Sequence, residues 1–445
     1  MMIALTKKQL SMKLREYQVK LSNDGVDILR RKKIVYLAME VRTGKTLTAL
    51  NIAELYGAKK VLFLTKKKAI DSIRFDYDNY DNGFNFKLII TNDESLHLLK
   101  DKDLDLVIHD EHHRFGAYPK PNVTAKLFKE RFSHLPMVFL SGTPTPESHS
   151  QWFHQMWVSD YSPFKDYTNF YKWANDYVDV KQKHLGYAKV NDYSHGIEKK
   201  IKGMLRHFIL TFTQKEAGFT TSVNEQILEV EMKPITYQII DRLKTTLVVK
   251  NKYNQIILGD TGAKLLQKIH QLCSGTCKFE DGTSKVIDYS KIEYIYENFK
   301  DYKIAIFYKY QEELNAIQSF LGDKVTTNLD EFNSNKDKWF AIQMVTGREG
   351  ISLKEAQYLV YYNIDYSATT YWQSRDRLTT MDRTENTVFW IFAKGGIEDK
   401  IYREVQKKKS YTSNIFIKEY GIRAKFTEKD TKEATGRRLA LYQTN

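Results

Sequence analysis

Two short clusters carry residue types suited to phosphate chemistry. In YLAMEVRTGKTLTAL an apolar run, Ile34 to Met39, leads through a tight loop to Gly44, Lys45 and Thr46, where a helical pattern begins. A loop at a helix N-terminus points backbone N–H groups outward, and the helix dipole there favours negative charge. Arg42, Thr43 and Gly44 would cradle the phosphates of ATP, Lys45 would hold the β and γ groups, and Thr46 would set its hydroxyl on Mg2+. The strict pattern has a glycine five residues before Gly44; this chain has Met39 there. In DLDLVIHDEHHRFG a second apolar run ends on Asp110 and Glu111. Paired acids at a strand end suit nucleotide hydrolysis: Asp110 would hold Mg2+ through its water shell, and Glu111 would be general base on the attacking water.

Such groups need a rigid frame, and the hydrophobic pattern supplies one. Short apolar runs alternate with helical patterns, as buried parallel strands do. The first half has Ile34 to Met39, Val61 to Thr65, Lys87 to Thr91, Leu104 to His109 and Met137 to Ser141; the second has Ile304 to Tyr308, Trp339 to Val345, Tyr358 to Asn363 and Thr387 to Phe392. Both halves read as open α/β sheets. Between them, Glu147 to Tyr289 reads as helical elaboration, with VNEQILEVEMKP as an extended crossing segment. Trp152, Trp157 and Trp173 lie in that elaboration and read chiefly as core, with stacking on a base as the alternative.

At 445 residues the chain is long enough for two or three domains. With 42% hydrophobic and 28% charged residues it reads as globular, and no apolar run exceeds six residues, against about 20 for a membrane span. The first residues, MMIALTKKQL, lack the apolar stretch of a secretory signal, and two cysteines cannot form a disulfide framework, so a cytoplasmic protein is expected. His109, His112 and His113 crowd one turn, but their spacing fits neither a helical zinc pair nor a closed cage; His270, Cys273 and Cys277 lack an obvious fourth ligand.

The order of MEVRTGKT, DEHH and SGTPTP resembles motifs I, II and III of superfamily 2 helicases and translocases, and the details are most similar to the Swi/Snf-type branch with its phage and bacterial members. LREYQ resembles that branch's Q motif, which implies that Gln18 reads the adenine edge. VLFLTKKKAI and IITNDESL are similar to the motifs that contact DNA, which assigns Lys66, Lys67, Thr91 and Asn92 to nucleic acid. MVTGREGISLKEAQYLVYYN resembles motif V, with Arg348 on DNA and Gly350 on the nucleotide. YWQSRDRLTTMDRTENTVFW resembles motif VI: Gln373 and Arg377 match, while the second arginine position holds Thr380, so Arg383 is the candidate to share the transition-state charge with Arg377. Ser141, Gly142 and Thr143 would couple the acids to the nucleic-acid side.

The resemblance implies two RecA-like domains with helical insertions between them, divided near residues 225 and 226, that close around ATP. It implies a DNA-dependent ATPase acting as a helicase or branch remodeller, or as a double-strand translocase without strand separation. An ATP-binding scaffold with little hydrolysis is the reading from another class, suggested by Met39 and Thr380. DNA, double-stranded, branched or single-stranded, is the expected partner, with replication or recombination proteins as further candidates and a monomer as the expected state. Lys-, Asn-, Ile- and Tyr-rich usage fits a phage or bacterial genome. The net charge of +14 suits a polyanion. Half of that surplus falls in residues 400–445, with twelve Lys and Arg against five Asp and Glu, so Lys407, Lys408, Arg437 and Arg438 are expected to add a phosphate-binding surface.

Overall fold

The apolar runs become strands of two sheets, all of them inner strands except Lys87 to Thr91, which lies at an edge. The computed structural model describes residues 12–100, 103–185, 188–218, 222–260, 262–347, 353–375 and 385–409. Arg348, Gly350, Arg377, Thr380, Arg383, Arg437 and Arg438 lie outside these residues. Gln373, Lys407 and Lys408 lie in described helices, Ala368–Arg375 and Glu398–Lys409. The described residues fall into two compact units, divided between residues 219 and 220.

In the first unit the strands are β1 (Ile34–Met39), β2 (Lys60–Thr65), β3 (Lys87–Asn92), β4 (Leu106–His109), β5 (Met137–Leu140), a peripheral pair β6 (Lys181–Leu185) and β7 (Ala188–Asp192), and β8 (Ile209–Phe212). Six of them form one parallel sheet in the order β3-β2-β4-β5-β1-β8. Every residue of β1, β4 and β5 is buried, because helices cover both faces and each side chain must meet apolar neighbours. One face packs α1 (Glu16–Lys32) and α2 (Lys45–Tyr56) around Leu29, Leu50 and Phe63; the other gathers Tyr36, Phe139, Trp152 and Trp173.

The second unit contains β9 (Ser222–Val230), the hairpins β10 (Val248–Lys250) with β11 (Ile256–Leu258) and β12 (Thr276–Lys278) with β13 (Ser284–Val286), then β14 (Ile304–Tyr308), β15 (Val325–Thr326), β16 (Trp339–Gln343), β17 (Tyr358–Tyr361) and β18 (Glu385–Ala393). Its parallel sheet runs β15-β16-β14-β17-β18-β9. Two parallel six-stranded sheets, each helix-covered, make the expected pair of RecA-like domains.

The intervening region departs from the helical reading. SVNEQILEV is a full edge strand, paired over nine residues with β18. β8 completes the first sheet, and three antiparallel pairs, β6–β7, β10–β11 and β12–β13, interrupt the helices. These strands are short or alternate polar with apolar residues, so their pattern lacks the continuous run that marks a strand buried on both faces. Trp152 and Trp173 are fully buried beside Tyr36 and Phe153, which removes both from any role in base stacking.

One carboxylate on β9 organises the second unit. Glu225 Oε2 accepts from the Tyr371 and Tyr402 hydroxyls and from Trp390 Nε1–H at 3.0 Å, while Oε1 takes Arg375 Nη1–H at 3.0 Å. The helix Ala368–Arg375, which carries Gln373, is thereby tied to β9, β18 and the following helix.

Candidate active site

Apart from Gln18 on α1, the motif residues of the first unit gather at the carboxyl ends of the strands, where open parallel sheets bind ligands. Glu40–Gly44 follow β1, Lys66 and Lys67 follow β2, Thr91 and Asn92 end β3, Asp110 and Glu111 follow β4, and Ser141–Thr143 follow β5. Because β5 lies between β1 and β4, Ser141 emerges between the phosphate loop and the acids.

The loop closes without the missing glycine. Met39 is fully buried as the last residue of β1, paired with Phe212, and the turn starts at Glu40. The Glu40 carbonyl accepts from Thr43 Oγ1–H at 2.7 Å and from the Thr43 N–H at 3.4 Å. The Glu40 carboxylate accepts the Gln214 N–H at 2.8 Å, and the Gln214 side chain donates to the Val41 carbonyl at 3.0 Å. Arg42 and Glu111 adopt left-handed backbone at φ 63° and 50°, a conformation costly for residues with a Cβ and concentrated at functional sites.

Gln18 braces the loop from α1. Its Oε1 accepts the Arg15 N–H at 2.8 Å and its Nε2 donates to the Gly44 carbonyl at 3.1 Å, which leaves one amide hydrogen and one lone pair for a further partner. Tyr17, stacked on Phe212 at 4.6 Å, donates its hydroxyl to the Thr43 carbonyl at 3.2 Å. Gly44 sits at φ 79°, and a Cβ there would meet Gln18 Nε2 at 2.3 Å. Gly44→Ala should therefore strain the backbone and push the brace away, at a cost of about 1–2 kcal/mol. We expect ATP affinity to fall about tenfold in equilibrium binding, beside a loss of stability no larger than that strain; unaltered affinity would show that the brace does not shape the loop.

The acids differ in state. Burial, and then the neighbouring charge of Glu111, raise the Asp110 carboxyl, which Lys45 and a 3.1 Å bond from Thr65 Oγ1–H only partly offset. Burial also works against a charged Glu111, but His113, Lys45 and Lys66 outweigh it and hold that carboxyl low. Glu111 is thus the group that stays ionised, as a base must. His113 Nδ1 lies 3.2 Å from Glu111 Oε2 and 2.9 Å from Ser141 Oγ, which in turn accepts the Thr143 N–H at 3.1 Å. One imidazole therefore joins the acid to Ser141 and Thr143. In the sequence His113 stood out only as a weak metal candidate; its place directly after the acids was the signal.

The other two histidines are structural. His109 Nδ1 and His112 Nδ1 share a proton at 2.6 Å, His109 Nε2 meets Asp93 at 3.0 Å, and His112 Nε2–H donates to the Gln155 carbonyl at 2.7 Å. Arg114 closes the far side of Asp93 at 2.7 Å. Among the described residues no cluster of three His, Cys, Asp or Glu is arranged to hold a metal by itself.

The residues fit Mg2+ shared with a nucleotide. Glu111 Oε2 is a buried atom with the His113 ion pair as its neighbour, and the crowded Asp110 carboxyl would gain most from a cation. Thr46 and Asp110 would hold the ion, which supplies charge neutralisation on the phosphates. Towards nucleic acid, Lys67 is exposed, Lys66 and Thr91 are half-buried, and Asn92 donates to Glu94 at 2.7 Å.

A family profile described as "Type III restriction enzyme, res subunit" matches residues 11–86. The "SWI/SNF-related matrix-associated actin-dependent regulator of chromatin subfamily A-like protein 1" of Drosophila melanogaster is 22% identical over 91% of this chain and 57% of its own length. With the motif residues gathered on one sheet edge, that match over nine tenths of this chain supports the resemblance read from the motifs. The chain resembles the Swi/Snf-type branch of superfamily 2. It is also similar to "Chromatin-remodeling ATPase INO80" of Aspergillus oryzae, at 23% identity over 46% of this chain and 14% of that protein. "DNA excision repair protein CSB" of Oryza sativa subsp. japonica is 32% identical over 24% of this chain and 9% of that protein. The chain thus spans between about a tenth and three fifths of these relatives' lengths. Among solved structures, the "Sulfolobus solfataricus SWI2/SNF2 ATPase core in complex with dsDNA" covers 92% of this chain and 93% of its own, at 14% identity and a TM-score of 0.40.

Proposed function

We propose that the chain hydrolyses ATP and couples each cycle to movement on DNA. The observation that carries this reading is Glu111, held low beside His113 and joined through that imidazole to Ser141 and Thr143, an arrangement suited to a hydrolytic base tied to a loop that can report on nucleotide state. Lys45 and Thr43 bind the phosphates, Thr46 and Asp110 hold Mg2+, and the spare valences of Gln18 take the adenine edge. Arg377 and Arg383 are assigned to the developing transition-state charge, with Gln373 and Gly350 beside them. Lys66, Lys67, Thr91, Asn92, Arg348 and the basic tail with Lys407, Lys408, Arg437 and Arg438 are assigned to DNA phosphates. The names of the relatives favour double-strand translocation that displaces bound proteins; a helicase or branch remodeller is the second form, with replication or recombination proteins as companions. No helix among the described residues is long and apolar enough to cross a membrane, and the composition supports a phage or bacterial protein working in the cytoplasm.

Phosphate release measured with and without DNA tests the reading. Hydrolysis is expected to rise on adding DNA, and log affinity to fall linearly with log salt concentration, because phosphate contacts release counterions. Strand displacement on forked and four-way substrates, beside triplex displacement, separates remodelling from translocation. Hydrolysis indifferent to DNA, or a flat salt response, would overturn the DNA reading.

A further inference from the structure

The two hairpins of the second unit take no part in the site above, yet they present an organised surface. At the tip of β10–β11, Tyr253 is 66% exposed. Lys252 Nζ lies 5.1 Å and Lys285 Nζ 5.4 Å from the centre of its ring, and Lys250 is exposed on the strand that leads to the tip. Lys250 and Lys252 make no ion pair among the described residues, while Lys285 Nζ donates to Gln255 Oε1 at 3.2 Å and its charge acts on Asp281. The nearby acids are engaged: Glu280 pairs with Lys268 at 3.0 Å, and Asp281 accepts from Thr283 and from Gln255.

The turn holds that ring in place. Asn251 Oδ1 accepts the N–H groups of Tyr253 at 2.9 Å and Gln255 at 3.0 Å, and Asn254 supplies the left-handed step at φ 62°. Asn251 Nδ2 donates to Gln255 Oε1 at 3.0 Å, and Gln255 Nε2 reaches across to Asp281 at 3.2 Å and Thr283 at 2.9 Å. The Glu280 N–H donates to the Ile256 carbonyl at 2.9 Å, which joins one hairpin to the other. A pre-ordered tip loses little conformational entropy on binding. An exposed aromatic face flanked by cations matches a nucleobase flanked by phosphates.

We propose that the Asn251–Gln255 tip is a second nucleic-acid contact, in which Tyr253 stacks on an unpaired base of DNA while Lys250, Lys252 and Lys285 bind the adjoining phosphates. The proposal rests on the DNA reading above and adds a preference for the end or fork of a duplex, where a base face is open.

The test uses the full chain and forked DNA with 2-aminopurine at the first unpaired position. Wild-type protein and Tyr253→Phe should alter the probe's fluorescence on binding. Tyr253→Ala should abolish that signal and weaken fork binding by about 5- to 100-fold, the range for one base–aromatic stack, while ATP hydrolysis without DNA stays unchanged. Substituting Ala for all three lysines should reduce the salt slope by about two to three. Wild-type protein that binds no DNA overturns the functional reading itself. Wild-type protein that binds the fork, with Tyr253→Ala equal to it in affinity and probe signal, overturns this inference alone. A Tyr253→Phe variant as defective as Tyr253→Ala also overturns it, since the stacking face is retained.

Discussion

Glu111→Gln is expected to lower the rate of ATP hydrolysis by about 10²- to 10⁴-fold while ATP still binds. Gln keeps the shape of the side chain and can still face His113, so the loss is confined to the base. The carboxylate's charge is held by His113, Lys45 and Lys66 against the effect of burial, and an amide cannot take the proton of water. Equilibrium binding of ATP should stay near the wild-type value, because the phosphate loop is closed by Glu40, Gln214 and Gln18 and not by Glu111. Single-turnover phosphate release beside nucleotide binding separates the two. Hydrolysis at the wild-type rate would remove Glu111 from the chemistry; equal loss of binding and turnover would make it a structural residue.

The second large effect concerns stability. Glu225→Ala should destabilise the second unit by about 3–5 kcal/mol, since it strands the largely buried Arg375 guanidinium and leaves three buried donors without their acceptor. For a unit of this size that corresponds to a fall in Tm on the order of 10 °C. Glu225→Gln keeps one acceptor oxygen and should cost less. The sheet core does not depend on this carboxylate, but the helix Ala368–Arg375 does, so nucleotide turnover should fall before the unit melts. Scanning calorimetry of both variants checks the order; an unchanged melting profile in Glu225→Ala would mean that the four donors find other partners.

The contrast between these two residues shows what was legible. Glu111 could be read because its chemistry is local: an apolar strand, two acids and a turn are neighbours in the chain. The same holds for Lys45 and for the apolar runs of the inner strands, whose burial on both faces leaves an unbroken hydrophobic signature; the edge strand β3 is only partly buried. Glu225 was illegible, because its partners are 146 to 177 residues away and it sits in an alternating, polar strand that reads as a crossing segment. β8 was lost for a related reason, being four residues long within a helical surround. The Met39 departure also resolves only in three dimensions, where Gln214 supplies the closure that the absent glycine left to be explained.

That closure bears on the order in which the protein acquires function. Glu40 and Gln214 are 174 residues apart, so during synthesis the loop leaves the ribosome well before its clasp. At about 5 to 20 residues per second, the delay is roughly 10 to 35 s. Throughout it the nascent chain carries Gly44, Lys45 and Thr46 without the strand that shapes their loop. Whatever the loop is to hold, its shape is therefore completed as one of the last events in the birth of the first unit, when β8 and Gln214 arrive.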